Sequence, residues 1–177
     1  MKKNNLIALS LLFLATIISP VISKAQDAKL IADVNTAKAA FISTDPLMAS
    51  VFSSSYGYVI FPNIGKGAIG IGGAAGNGVV YQGGSIIGSA KMKQLTIGFQ
   101  LGGQKYREVI FFENQEALNR FKENGFEFAA QASAVAVTKG ASTNVKYREG
   151  VMVFTQEKGG LMYEASVGGQ KFNFIPN

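Results

Sequence analysis

Residues Tyr56 to Gln82, YGYVIFPNIGKGAIGIGGAAGNGVVYQ, decide the fold. They open with an apolar run, Tyr58-Val59-Ile60-Phe61, interrupted by Pro62, and continue through glycines at 65, 67, 70, 72, 73, 76 and 78. Each glycine inside a helix costs about 1 kcal/mol against alanine, so this density excludes a helix. The β-branched and aromatic residues on either side favour strands. Glycine within a strand marks a bulge, a sharp bend or a close backbone approach. The stretch therefore predicts a tightly bent sheet, with Gly65, Gly67, Gly72, Gly73, Gly76 and Gly78 as structural glycines. Gly65-Lys66-Gly67-Ala68-Ile69-Gly70 also fits the G-x-G-x-x-G spacing of dinucleotide sites. Such a site needs a helix opening at those glycines and an acidic residue about 20 positions on. The glycines that follow cannot start a helix, and no Asp or Glu lies between Asp45 and Glu108. Nucleotide binding is set aside.

Upstream, apolar residues at Leu30, Ile31, Val34, Ala37, Phe41 and Ile42 form one stripe at helical period from Asp27 to Thr44. The polar face is not rich in Lys or Arg, so the stripe is expected to dock on the sheet and not to lie in a membrane interface. Asp45-Pro46 reads as a cap followed by proline at the first helical position. A short second helix is expected over Pro46 to Ser54, burying Leu47, Val51 and Phe52, with Gly57 as its stop. Downstream, Ser85 to Ala90 is a short strand, and Leu95, Ile97, Phe99 and Leu101 alternate as in a half-buried strand. Tyr106 to Phe112 is the next strand, and Asn114 caps a helix over Gln115 to Asn124 that Gly125 stops. Phe126 to Thr138 suits strand better than helix, and strands at Val151 to Thr155 and Leu161 to Gly168 close the chain.

Met1 to Ala25 has the form of a secretory leader. Lys2 and Lys3 precede an apolar run from Leu6 to Ile18, and Ser23-Lys24-Ala25 is a small-x-small cleavage site. A bilayer span needs about 20 apolar residues, which disfavours the rival reading of an uncleaved anchor. Cleavage before Gln26 leaves one domain over residues 26–177, exported to the periplasm or beyond, and halves the net charge of +6. The chain has no Cys and no His. Disulfide staples, thiol chemistry, thiolate metal sites and Ser-His-Asp catalysis are thereby excluded. Glu113 and Glu116 open a predicted helix, where acids favour the dipole, and Glu157 and Glu164 flank a turn. None of these makes a catalytic or metal-binding constellation, so the chain reads as a non-enzyme without a cofactor. Regular ten-residue strands of a membrane barrel are absent and helices are expected, which argues against an outer-membrane barrel.

Several blocks stand out in order along the chain: Val59-Ile60-Phe61-Pro62, Gly65-Lys66-Gly67, Gly72-Gly73 and Gly76-Asn77-Gly78-Val79-Val80. In the same order follow Gly98-Phe99-Gln100-Leu101-Gly102-Gly103-Gln104, Val109-Ile110-Phe111-Phe112, Lys158-Gly159-Gly160-Leu161 and Glu164-Ala165-Ser166-Val167-Gly168-Gly169. Together these blocks resemble the signature of the lipid-binding SYLF domain family, from about Leu30 to the C-terminus. The likeness supports an α+β domain whose strongly bent, barrel-like antiparallel sheet carries about three packed helices. Family members are described as binding membrane lipids, notably phosphoinositides in eukaryotes, and some yeast relatives bind actin filaments. The bacterial-type leader makes actin irrelevant and weighs against phosphoinositides, so for an exported chain the resemblance implies a phospholipid or membrane surface of the cell envelope as partner.

Charge supplies the candidate lipid-facing residues. From Pro46 to Arg107 the chain holds Lys66, Lys91, Lys93, Lys105 and Arg107 and no acid. Lys66 sits between two glycines, and Lys91 and Lys93 share strand parity. These three are expected to form one patch facing anionic head groups. The lysines are too thin a stripe for a nucleic-acid surface, which would interleave them with exposed aromatics. Two other classes stay open: a carrier with a hydrophobic ligand inside the barrel, and an envelope scaffold acting through protein contacts.

Overall fold

The glycine-rich stretch folds as one long antiparallel hairpin, β1 (Gly57–Ile69) and β2 (Ile71–Gln82). A computed structural model of the chain describes residues 19–69, 71–96, 105–123, 126–128, 133–158 and 164–177. Pro62 does not end β1, as a proline within an apolar run suggests it would. The register of β1 shifts against both neighbours there, between Ile60 and Asn63 on one side and between Phe61 and Ile64 on the other. A bulge tolerates the missing N–H that a regular ladder would not.

The remaining strands are β3 (Ser85–Thr96), β4 (Lys105–Phe112), β5 (Ser133–Ala136), β6 (Val151–Glu157), β7 (Glu164–Ser166) and β8 (Gln170–Pro176). They form one sheet in the order β7-β5-β6-β4-β1-β2-β3-β8. Every neighbouring pair is antiparallel except β5 and β6, a departure from the wholly antiparallel sheet expected. β7 and β8 lie at opposite ends of this order, yet only residues 167–169 separate them. Such a link spans roughly 14 Å, whereas eight flat strands would extend roughly 34 Å. The sheet must therefore curl. Residues 126–128 complete the curl by pairing with the free edge of β8, Phe172 N donating to Phe126 O at 2.9 Å and Phe128 N to Gln170 O at 3.1 Å. β8 has no counterpart in the sequence reading, which closed the chain at Gly168.

Among the described residues three α-helices accompany the sheet: α1 (Ser19–Thr44), α2 (Met48–Ser54) and α3 (Gln115–Lys122), with a 3-10 turn at Ala141–Asn144. The fold is α+β with a curled sheet. The stripe on α1 docks as its spacing predicts, with Val34, Ala37 and Phe41 buried against the outer face of the sheet. Lys38 holds the helix edge, its ammonium 4.8 Å from the Phe52 ring centre and donating to Tyr58 Oη at 3.0 Å. α2 begins two residues later than expected. In consequence Met48 and Phe52 are its buried residues, and Leu47 is 51% exposed. α3 is capped as predicted, Ala117 N donating to Asn114 Oδ1 at 3.0 Å. The leader reading falls mainly on residues 1–18, outside the described residues, as do Ile97 to Leu101 and the Gly125 stop. α1 runs unbroken through Ala25.

The inside of the curl is filled by rings. Phe61, Phe121, Phe126 and Phe128 surround Phe172, with the Phe121–Phe172 centres 5.3 Å apart, and Phe112 packs on Phe121. The glycines differ in what they allow. A Cβ at Gly78 would meet Ile60 O at 2.7 Å and the Phe61 ring at 2.8 Å, whereas at Gly65 it would meet nothing within 4 Å. Gly76 is crowded by Ile64 at 2.9 Å, and at Gly73 the nearest atom is Gln94 O at 3.3 Å. Gly67 pairs with Gly73, and Gly72 with Ala68. Gly78→Val is expected to cost more than about 3 kcal/mol, and Gly65→Ala to be neutral or slightly stabilising. Equal denaturation midpoints for the two variants would refute this close-packing role.

Candidate functional site

The outer face of the sheet is divided by the helices. Tyr58, Ile60, Val79, Val109, Phe111 and Phe154 lie beneath α1 and α2. Toward the β1–β2 turn the same face is uncovered and polar. One row of directly paired positions reads Asn63, Asn77, Lys91, Asn173 across β1, β2, β3 and β8, all exposed. The next row reads Lys105, Gly65, Ala75, Lys93, Lys171 across β4, β1, β2, β3 and β8. Small residues thus form the floor between flanking lysines. Like charges directly opposite in a sheet are destabilising, and Lys93 faces Lys171 in this way. Glu127 relieves Lys171 in part, its carboxylate 3.1 Å from the ammonium.

At the β4–β6 side of this area stand Arg107 and Lys158. Lys158 N donates to Lys105 O at 3.0 Å, which places these two lysines across from each other. The Lys158 side chain reaches over to β1, where its ammonium donates to Asn63 Oδ1. Partial burial, then the charges of Arg107, Lys105 and Lys29, hold the Lys158 ammonium below the usual lysine range, against the opposing pull of Asp33. Burial likewise lowers Arg107.

Of the three lysines expected to act together, Lys91 and Lys93 do share this open face. Lys66 pairs with Ala74, one register step from the Gly65 row, so its backbone falls in the alternate set of positions. The structure describes only its backbone. Lys105 and Arg107 belong to the acid-free window, but Lys158 and Lys171 come from strands that the window does not include. Nothing in their local sequence marks them. Only strand order brings them to this face.

A second polar group lies on the inner face. Glu108 is fully buried, its Oε2 accepts from Gln170 Nε2 at 3.0 Å, and its Oε1 has no hydrogen-bond partner. Tyr106, Gln94 and Thr155 are buried around it on β4, β3 and β6. Burial, only partly offset by the Gln170 bond, pushes the Glu108 carboxyl up to about 7. Burial and then the Glu108 charge raise the Tyr106 hydroxyl. The sequence did carry a signal for Glu108, an acid in the inward parity of Tyr106, Ile110 and Phe112, which the reading of β4 passed over. Among the described residues no three His, Cys, Asp or Glu side chains gather as metal ligands, and no helix is long and apolar enough to cross a membrane.

A curled α+β sheet with one helix-covered and one open cationic half is the class these features define. Residues 93–174 match the family model described as "Ysc84: Las17-binding protein actin regulator". These residues, somewhat under half of the chain, are similar to this family, the SYLF family. A curated relative, "Beta cell expansion factor A" of Aeromonas veronii, is 29% identical over 72 residues, which is 41% of this chain and 28% of that protein. The match to that relative therefore spans under a third of its length. The family match includes Lys93, Lys105, Arg107, Lys158 and Lys171, and begins after Lys66 and Lys91.

Proposed function

We propose that the protein is a non-catalytic binder of anionic phospholipid surfaces in the bacterial cell envelope, using the open half of its outer sheet face. One observation carries this reading: lysines from β3, β4 and β8 line up in a single cross-strand row over a floor of Gly65 and Ala75. A row that sets Lys93 directly against Lys171 costs stability when free and is relieved by an opposing anionic surface. The leader-like Met1 to Ala25 supports export, and the SYLF relationship supports lipid as the partner class. Export also removes the cytoskeletal partner that the family description names.

Flotation of the full chain with phosphatidylglycerol vesicles tests the reading. The triple change Lys91→Gln, Lys93→Gln, Lys171→Gln should lower membrane affinity by roughly 3 kcal/mol at low salt, at about 1 kcal/mol per cation. Wild-type binding should weaken as salt rises, because exposed charges are screened within about 8 Å at physiological ionic strength. Folding stability should change by no more than about 0.5 kcal/mol. A triple variant that floats as well as wild type sinks the electrostatic surface.

A further inference from the structure

We infer that Lys105, Arg107 and Lys158 form a discrete centre for a dianionic phosphate group, which shares Lys105 with the β4 end of the lysine row but does not use Lys91, Lys93 or Lys171. The centre itself stands on this chain's own geometry; only its lipid-headgroup arm rests on the membrane reading above.

Arg107 carries the inference. It is half-buried in the sheet, and its Nε is shut off from water with no acceptor. No carboxylate forms an ion pair with it, since the ion pairs among the described residues are Lys29–Asp33 and Lys171–Glu127. Gln156 faces it across β4 and β6, but the Gln156 amide donates to Thr44 Oγ1 at 2.6 Å and its Oε1 makes no bond to the guanidinium. A guanidinium offers a planar fork that matches two phosphate oxygens, and a buried one without an acceptor is costly.

The neighbours have the same sign. Lys105 precedes Arg107 by two residues on β4 and so shares its face, and Lys158 lies opposite Lys105 with its side chain drawn across β4 toward Asn63. Partial burial first, and then the charges of Arg107 and Lys105, lower the Lys158 ammonium, in keeping with this crowding of like charges. Asp33 is the acid at hand, and it is occupied by Lys29 at 2.8 Å and by Asn63 at 3.4 Å. Three cations with one neutralised acid beside them suit two negative charges better than one. A phosphomonoester or inorganic phosphate provides that; the single charge of a phosphodiester does not.

Inorganic phosphate, titrated against chloride at constant ionic strength and pH 8, is the first probe, with Tm of the full chain as readout. A saturable rise of roughly 5 °C is expected when phosphate reaches about 100 times its Kd. Arg107→Gln should weaken that response at least about 10-fold, and Lys105→Gln with Lys158→Gln should do the same if the arginine variant fails to fold. The Lys91, Lys93, Lys171 triple variant should keep it. The second arm compares vesicles containing phosphatidic acid with phosphatidylglycerol vesicles at matched surface charge. A preference for phosphatidic acid that Arg107→Gln abolishes places the phosphate on a lipid. A phosphate response without that preference supports the centre with free phosphate as its source. Loss of phosphatidylglycerol flotation by the triple variant alone, with the phosphate response intact, supports both sites as separate. Tm that follows ionic strength only, or a phosphate response equal in wild type and both centre variants, overturns the centre.

Discussion

Replacing Glu108 with glutamine flattens the pH dependence of stability between pH 4.5 and 8. An ionised carboxylate shut away from water is disfavoured unless a cation or several donors meet it. Glu108 has one donor, Gln170 Nε2, and an unmatched Oε1, so burial dominates and the carboxyl rises to about 7. The unfolded chain gives up this proton near pH 4.5, while the folded chain keeps it to about 7. The contribution to stability is therefore complete below pH 4.5 and is lost as pH rises through the folded value. The loss amounts to about 3 kcal/mol at 1.36 kcal/mol per pH unit. Glutamine has no proton to lose, so the stability of Glu108→Gln relative to wild type should grow by about 3 kcal/mol from pH 4.5 to pH 8. Its absolute offset also includes the new amide donor at the former Oε1 position, which makes the change with pH the cleaner quantity. Denaturant titrations at the two ends of this range read it directly. Parallel curves would mean that the carboxylate is not confined as the inner face implies.

Asp45 shows the opposite sign. Its carboxylate is fully buried, accepting from Ser142 Oγ at 2.6 Å, Ser142 N at 2.9 Å and Leu47 N at 3.2 Å. Burial pushes the carboxyl up, but the bonds from Ser142, Leu47 and Gly140 outweigh it and hold the group below the usual carboxylate range. Its stabilisation is thus present above the unfolded aspartate value and lost as pH falls through the folded one. A simple helix cap is worth about 1 kcal/mol, which is all that Asp45-Pro46 promises as a local motif. In the fold, the same carboxylate also ties the start of α2 to the 3-10 turn 97 residues away. Asp45→Ala leaves the Ser142 hydroxyl and N–H without their acceptor, and should cost about 3 kcal/mol at pH 7. A double-mutant cycle with Ser142→Ala should show a coupling of about 1 kcal/mol or more. A cost near 1 kcal/mol without coupling would reduce Asp45 to an ordinary cap.

These two acids mark the boundary between local and distant information. Glycine density from Gly65 to Gly78 forbids a helix through a backbone cost that each residue bears on its own, so a bent sheet segment was legible from sequence, whereas its form as one long hairpin was not. The α1 stripe and the Asn114 cap are equally local: each depends on residues within a turn or two. Register is different. The bulge at Pro62 shifts the phase of β1 against both neighbours, and this places Lys66 in the alternate positions from the Lys93 row. Lys158 and Lys171 join the cationic face because β6 and β8 lie at particular places in the strand order, and no short-range pattern encodes that order. Glu108 titrates near neutrality, and Asp45 below its usual range, because each is enclosed by segments remote in the chain. The sequence alone determined that the glycine-rich stretch extends, that α1 and α3 coil and which side of α1 is apolar, since those follow from sterics and solvation among near neighbours, but it left β8 and the buried face of α2 unmarked. The tertiary structure decided which charges meet and which lose their water, because Coulomb energy and desolvation depend on distances in space that sequence separation does not set.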